Sequence, residues 1–516
     1  MLTPFKNEPF TDFTKEENRR RMQEALARVE SQLGREYALV INGERVKTRE
    51  TFVSINPSEK DQVVGVLAKA TTEEAERAIQ VATERFEYWK RVPPEERAMV
   101  LLRAATLLKR RKLEFAAWQV FEVGKNWAEA DADVAEAIDY LEFYAREMIR
   151  YAQPQELTPI ETERNEYFYI PLGPVVVIPP WNFPLAIMLG MTTAALVTGN
   201  TVVLKPASDS AVIAYHFVEL MEEAGLPAGV LNLITGPGST VGDYLVAHPK
   251  TRMIAFTGSM EVGKHIYELA AKVQPGQIWL KRVIAEMGGK DAIIVDEDAL
   301  NLEEAADAVV ASAYGFQGQK CSAASRLIVT EPIYEKFVEM VKERTEKIEI
   351  GPAKDNYFMG PVINASAEAK ILAYIEIGKE EGKLVTGGEK APGNGFYIKP
   401  TIFKDVPEDA RIAQEEIFGP VLAVIKARDF DDAIRIANNT IYGLTGSVFT
   451  GDPLKIKKAK EEFHVGNLYI NRKCTGALVD VHPFGGFNMS GTDSKAGGRD
   501  YLLLFLQGKS VSEKYR

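Results

Sequence analysis

From about residue 174 onward, short apolar runs alternate with helical segments, and few architectures accept that rhythm. VVVI (175–178), TVVLK (201–205), VLNLI (230–234), RMIAF (252–256) and KRVIAE (281–286) read as strands, with helices expected over 185–198, 210–224, 239–247 and 260–272. Such alternation predicts right-handed crossovers and a parallel sheet buried on both faces. A second set follows at AIIVD (292–296), RLIVT (326–330), PVLAVIKA (420–427), LTGSVFT (444–450) and VGNLYIN (465–471). The fold class is therefore α/β with two units joined near Gly288-Gly289, and 516 residues suffice for two or three such cores.

Upstream, an amphipathic helix is expected over 15–33, with Met22, Leu26, Val29 and Leu33 on one face, followed by a hairpin at Asn42-Gly43. A second helix begins at Thr71, where Glu74 stands at the capping-box position, and further helical patterns run over 94–124 and 131–151. The charged strand ETERNEYFYI (161–170) and the tail after Gly498 fit neither core and are expected to be exposed segments that pair with a partner subunit.

Ligands of open parallel sheets sit beyond the carboxyl ends of the strands, so the residues there carry the functional argument. PPWNFPL puts Asn182 after the first strand, either as a side-chain amide for an oxyanion or as a turn-former held by prolines. KPAS places Lys205 and Ser208 where a ribose or phosphate can be held, and FTGSMEVG opens a helix with Thr257, Gly258 and Ser259. AEMGGK sets Glu286 at the fifth strand end, either as a general base or as an ion-paired glutamate. In YGFQGQKCSAASR (314–326), small residues surround Cys321, and the adjacent Lys320 is expected to lower the thiol pKa. The alternative is a buried thiol in a tight turn.

Taken together, EMGGK, FQGQKCSAASR, PWNFP, KPAS, FTGS, EEIFGP (415–420) and PFGGFNMSG (483–491) resemble the aldehyde dehydrogenase superfamily in order and over nearly the whole chain from about residue 40. YINRK (469–473), TGALVDVHPFGGF and SGTDSKAGG look most like the branch that oxidises L-glutamate 5-semialdehyde. The resemblance implies a Rossmann-type parallel-sheet cofactor domain (1–160 and 171–288), an α/β catalytic domain (289–480) and a small oligomerisation flap (161–170 and 499–516). It implies Cys321 as nucleophile, Glu286 as the base for thioester hydrolysis and Asn182 as oxyanion donor. Ile178, Pro180, Trp181, Lys205, Ser208, Gly258, Ser259, Gly263, Glu416 and Phe418 would line the cofactor cleft. Ser322, Gly476 and Ala477 would meet a substrate carboxylate, with Phe183 and Phe484 flanking its aliphatic part and Glu136 and Lys320 nearby. Many NAD-specific relatives carry an acid where Ser208 stands, so NAD is expected as the main cofactor with NADP tolerated.

The totals exclude other classes. A net charge of −11 argues against nucleic-acid or anionic-membrane partners. Two cysteines cannot build a disulfide framework, which fits a reducing cytoplasm, and Cys474 reads as structural. The five histidines lack metal-ligand spacing, so no metal is expected, and none lies in the Cys321 stretch to serve a thiol hydrolase. Residues 167–204 carry no charge, but the prolines and glycines among them would break a membrane span. The expected partners are a small aldehyde and a second copy of the chain, as a homodimer or dimer-based oligomer. Alternatives are a dehydrogenase for another ω-semialdehyde such as succinic semialdehyde, or a non-catalytic scaffold of the same fold.

Overall fold

The computed structural model describes residues 2–515 and contains two seven-stranded sheets. In the first, the strands run in the order Arg282–Glu286, Met253–Thr257, Pro174–Ile178, Thr201–Leu204, Leu231–Leu233, Leu39–Ile41 and Glu44–Val46. The five strands read from the sequence pair in parallel, and the Asn42-Gly43 hairpin adds the last two antiparallel. Both turn residues have positive φ, 56° and 78°, as a tight hairpin requires.

Strand order reverses between Pro174–Ile178 and Met253–Thr257, because the chain steps outward to one side first and later to the other. A crevice opens at such a switch point. Asn182 follows one of these strands and Gly258 the other, so the two motifs flank the same opening.

The second sheet runs Lys383–Thr386, Thr401–Lys404, Val421–Ala427, Ala324–Thr330, Asp291–Val295, Thr445–Phe449 and Asn467–Ile470. Ile293, Val295, Leu327 and Val329 face one hydrophobic core, and Ala292, Ile294 and Ile328 face another, so the sheet is buried on both sides. Only Met287–Lys290 separates the last strand of the first sheet from the first strand of the second. Glu286 therefore ends one sheet where the chain crosses to the other.

Several expectations change. The 94–124 pattern divides into Pro94–Arg110 and Lys112–Val123, because Arg111 leaves helical geometry (φ −103°, ψ 16°). The helix read from 131 begins earlier, at Trp127, capped by the Asn126 side chain on Glu129 N. The 239–247 helix is a wide turn, Gly238–Gly242, leading into Asp243–Ala247. The edge strand of the second sheet, Lys383–Thr386, its neighbour Thr401–Lys404, and a three-stranded sheet of Arg35–Tyr37, Glu59–Ala68 and Thr51–Asn56 were not foreseen.

The C-terminal tail also needs correcting. Glu163–Pro171 and Leu506–Lys514 pair antiparallel with each other in a separate two-stranded ribbon. The start of the tail is buried: Tyr501, Leu502 and Phe505 join the core formed by the N-terminal helices and the first sheet. The uncharged stretch 167–204 folds as strand, helix and strand, and among the described residues no helix is long and apolar enough to cross a membrane.

Candidate active site

Cys321 lies between helix Leu302–Tyr314 and strand Ala324–Thr330, on a loop whose backbone takes an uncommon path. Phe316, Gln317 and Gly318 have φ of 47°, 58° and 68° in succession. A Cβ at Gly318 would stand 2.4 Å from the Gly419 carbonyl, so only glycine allows the approach. Side-chain amides hold the loop: Gln317 donates to Pro361 O (2.7 Å), and Gln319 accepts from Ile363 N (2.9 Å). The thiol is partly exposed and opens on a cavity of about 470 Å³.

The surroundings of the thiol differ from expectation. Lys320 pairs with Glu129 (2.7 Å). Burial raises the thiol pKa, and the carboxylates of Asp291, Glu416 and Glu286 raise it further. Both effects favour the neutral thiol over the thiolate.

Glu286 lines the same cavity and is enclosed by the 485–494 loop. Its Oε1 accepts from Ser494 Oγ (2.6 Å) and Ser494 N (3.2 Å), and its Oε2 from Gly486 N (3.2 Å). A Cβ at Gly491 would lie 2.9 Å from Oε2, which accounts for one glycine of the PFGGFNMSG motif as room for the carboxylate. Burial pushes the acid up to about 7, against the pull of these donors and of the Lys495 ammonium. A carboxyl in that range exchanges protons readily near neutral pH.

Asn182 is buried, and its Nδ2 donates to the Gln319 carbonyl (3.0 Å), two residues before the nucleophile. The following turn is anchored from helix Trp127–Tyr151, where Asp133 accepts from Leu185 N and Ala186 N (both 3.3 Å). The thiol, the carboxylate and the amide, far apart in sequence, are thus brought to one region.

All seven residues assigned to the substrate line the same cavity: Glu136, Phe183, Lys320, Ser322, Gly476, Ala477 and Phe484. Glu136 accepts from Tyr140 Oη (3.2 Å), and burial pushes its pKa up to about 8. It does not lie on a solvated helix face. Cys474 is buried, with its Sγ on the Ser322 carbonyl (3.3 Å).

The residues assigned to the cofactor collect around the switch point. Ile178 ends the central strand, and the Trp181 ring meets Phe418 edge-on with centroids 5.7 Å apart. Pro180 is half-buried beside them. Lys205, 5% exposed, has one protein acceptor, the Pro206 carbonyl at 3.2 Å, which leaves donors of its ammonium for a ligand. Ser208 is exposed, and the neighbouring acid Asp209 is engaged by Asn364 Nδ2 (3.2 Å). Gly258 donates to the Glu286 carbonyl (3.0 Å), and Ser259 caps helix Met260–Ala271. Gly263 is packed so closely that a Cβ would stand 2.4 Å from Met287 Sδ. Glu416 accepts from Gly289 N (3.1 Å), and a Cβ at Gly288 would stand 2.2 Å from its carboxylate. Among the described residues, no group of three or more histidine, cysteine or acidic side chains is arranged to hold a metal.

Residues 45–511 match the aldehyde dehydrogenase family. The chain belongs to this family. It is 61% identical over 518 residues to a 1-pyrroline-5-carboxylate dehydrogenase of Geobacillus thermodenitrificans, the alignment covering all of both chains. It is 58% identical over 516 residues to 1-pyrroline-5-carboxylate dehydrogenase 2 of Bacillus subtilis, again across both whole chains. A crystal structure of 1-pyrroline-5-carboxylate dehydrogenase from Thermus with bound NAD superposes with a TM-score of 0.99 at 55% identity over the full length of each.

Sequence reasoning missed several parts of this aldehyde dehydrogenase site. Ser494 and Gly486 hold the Glu286 carboxylate, yet their motifs were read only for resemblance. The Lys125 ammonium is buried between the Phe183 and Phe316 rings, 4.1 and 4.8 Å from their centroids, and nothing in GKN marked it. Arg472 and His482 also line the cavity.

Proposed function

We propose that this aldehyde dehydrogenase oxidises L-glutamate 5-semialdehyde, the open form of 1-pyrroline-5-carboxylate, to L-glutamate with NAD as acceptor, in proline or arginine breakdown. The observation that carries the reading is that Cys321 and Glu286 open on one cavity whose walls include every residue assigned to the substrate. The names and full-length identities of the relatives support the same substrate and cofactor.

In the mechanism, the Cys321 thiol gives its proton to water in the cavity and its Sγ adds to the aldehyde carbon. The Cys321 backbone N–H and the Asn182 amide stabilise the resulting alkoxide, since one amide hydrogen remains beyond the bond to Gln319. A bound oxidised nicotinamide would supply the acceptor for the hydride that the alkoxide expels. Collapse leaves a thioester on Cys321. Glu286 then takes a proton from water, the hydroxide adds to the thioester carbonyl, and the carboxylate product leaves as Cys321 is regenerated. Trp181, Lys205, Gly258, Ser259, Glu416 and Phe418 hold the dinucleotide. Ser322, Gly476 and Ala477 hold the substrate carboxylate, and Glu136 takes its ammonium group.

The test is reduction of nicotinamide followed at 340 nm with glutamate semialdehyde and, side by side, succinic semialdehyde. Faster turnover of the glutamate semialdehyde, abolished in Cys321→Ala, is the expected result. A preference for succinic semialdehyde would reassign the substrate, and no reduction with any aldehyde would leave a non-catalytic scaffold. A reducing cytoplasm suits a chain with two cysteines, and the proposed assembly is a homodimer or a set of dimers.

A further inference from the structure

Resting on the proposed reaction, we propose that Ser494 is a positioning residue for the base, aiming the Glu286 carboxylate and keeping it ionised while it activates water. Glu286 Oε1 takes two of its donors from this single residue, the hydroxyl at 2.6 Å and the backbone N–H at 3.2 Å. The remaining donor, Gly486 N, holds Oε2. Ser494 is itself buried, 6% exposed, so its hydroxyl does not exchange this bond freely for water. The short O–H···O⁻ geometry is that of a charge-assisted bond, strongest when the carboxylate is negative.

The charged and titratable groups around the base come from every loop that encloses it. Lys495, adjacent to Ser494, favours the anion, while its Nζ is fixed on the Gly466 and Gly485 carbonyls (both 2.8 Å). The Cys321 thiol and the Tyr501 hydroxyl both lie within the field of the carboxylate and are raised by it. Burial opposes ionisation, and Ser494 leads the interactions that resist it. Removing the hydroxyl leaves the two amides in place, so the carboxylate stays within its enclosure but loses the donor that aims Oε1 and favours its charge.

The sign of the consequence follows. A hydrogen bond to the charged form lowers an acid's pKa, so its loss raises it, and the acid limb of the activity profile moves to higher pH. A bond to a charged group is worth roughly one pH unit or somewhat more. The defect falls on thioester hydrolysis alone, because addition and hydride loss do not use the base.

The experiment compares the wild-type enzyme with Ser494→Ala, Ser494→Thr, Glu286→Gln and the Ser494→Ala/Glu286→Gln pair, recording pre-steady-state and steady-state nicotinamide reduction from pH 5.5 to 9. Expected for Ser494→Ala are an undiminished first-turnover burst, slower steady turnover at pH 7, and an acid limb displaced upward by about one unit. Ser494→Thr, which keeps a hydroxyl, restores the wild-type limb, and Ser494→Ala adds nothing in the Glu286→Gln background. An unmoved acid limb in Ser494→Ala, or a burst lost in step with thermal stability, overturns the proposal. Wild-type enzyme inert towards glutamate semialdehyde instead overturns the reaction on which the proposal rests.

Discussion

At the residue scale, the site depends on a few atoms whose removal has different costs. Asn182→Ala deletes an oxyanion donor without opening a large void, so kcat should fall about 100 to 1,000-fold with the fold intact, as stopped-assay rates and circular dichroism would show. Glu286, with its pKa pushed up to about 7, must be ionised to accept a proton from water. Turnover limited by hydrolysis should therefore fall about tenfold per pH unit below that value and level off above it, which a pH–rate profile of kcat checks. Ser208 leaves its position without the negative charge that repels a 2′-phosphate, and Asp209 is occupied with Asn364. NADP should therefore support measurable turnover at saturation, and its complete failure as acceptor would refute that reading. Cys321 and Asn182 were legible as candidates from their turns of small residues and prolines, and Glu286 from its place at the end of a strand beside two glycines, but only the joint resemblance gave them roles. The thiol's surroundings were not legible, because a neighbour in sequence such as Lys320 points wherever its best partner lies, here Glu129 on a distant helix.

At the element scale, the parallel strands were read well because burial on both faces writes a continuous apolar run into the chain. Most of the strands missed are short or lie at an edge: Lys383–Thr386 is half exposed, and Thr401–Lys404 has four residues, whereas the ten-residue Glu59–Ala68 is partly exposed along its first half and carries no continuous apolar run there. Helix ends followed the same logic. The capping box at Thr71 is present, with Thr71 N donating to Glu74 Oε2 (2.7 Å) and the Thr71 side chain accepting from Glu73 N. Thr71→Ala should cost about 1 kcal/mol, read as a lower denaturation midpoint with catalytic constants unchanged. The break at Arg111 had no proline or glycine to announce it, and a continuous apolar period ran straight through it.

At the scale of the whole molecule, the ribbon of Glu163–Pro171 and Leu506–Lys514 stands apart from both large sheets. Its two outer edges lack partners within the sheet, which favours addition of strands from another copy. Ending the chain after Leu506 should remove one strand, expose the other, and break the proposed assembly into smaller species in light scattering, with the crevice of the first sheet retained. That the two segments pair with each other was not legible, since hundreds of intervening residues must fold before they meet.

The cavity walls run from Phe10 and Thr11, near the amino terminus, to Tyr501, close to the other end. Synthesis must therefore pass Tyr501 before this chamber exists, and a nascent chain or one terminated before that residue carries its cysteine without the enclosure. Synthesis thus imposes its own order, in which the nucleophile is made long before it has a chamber in which to react.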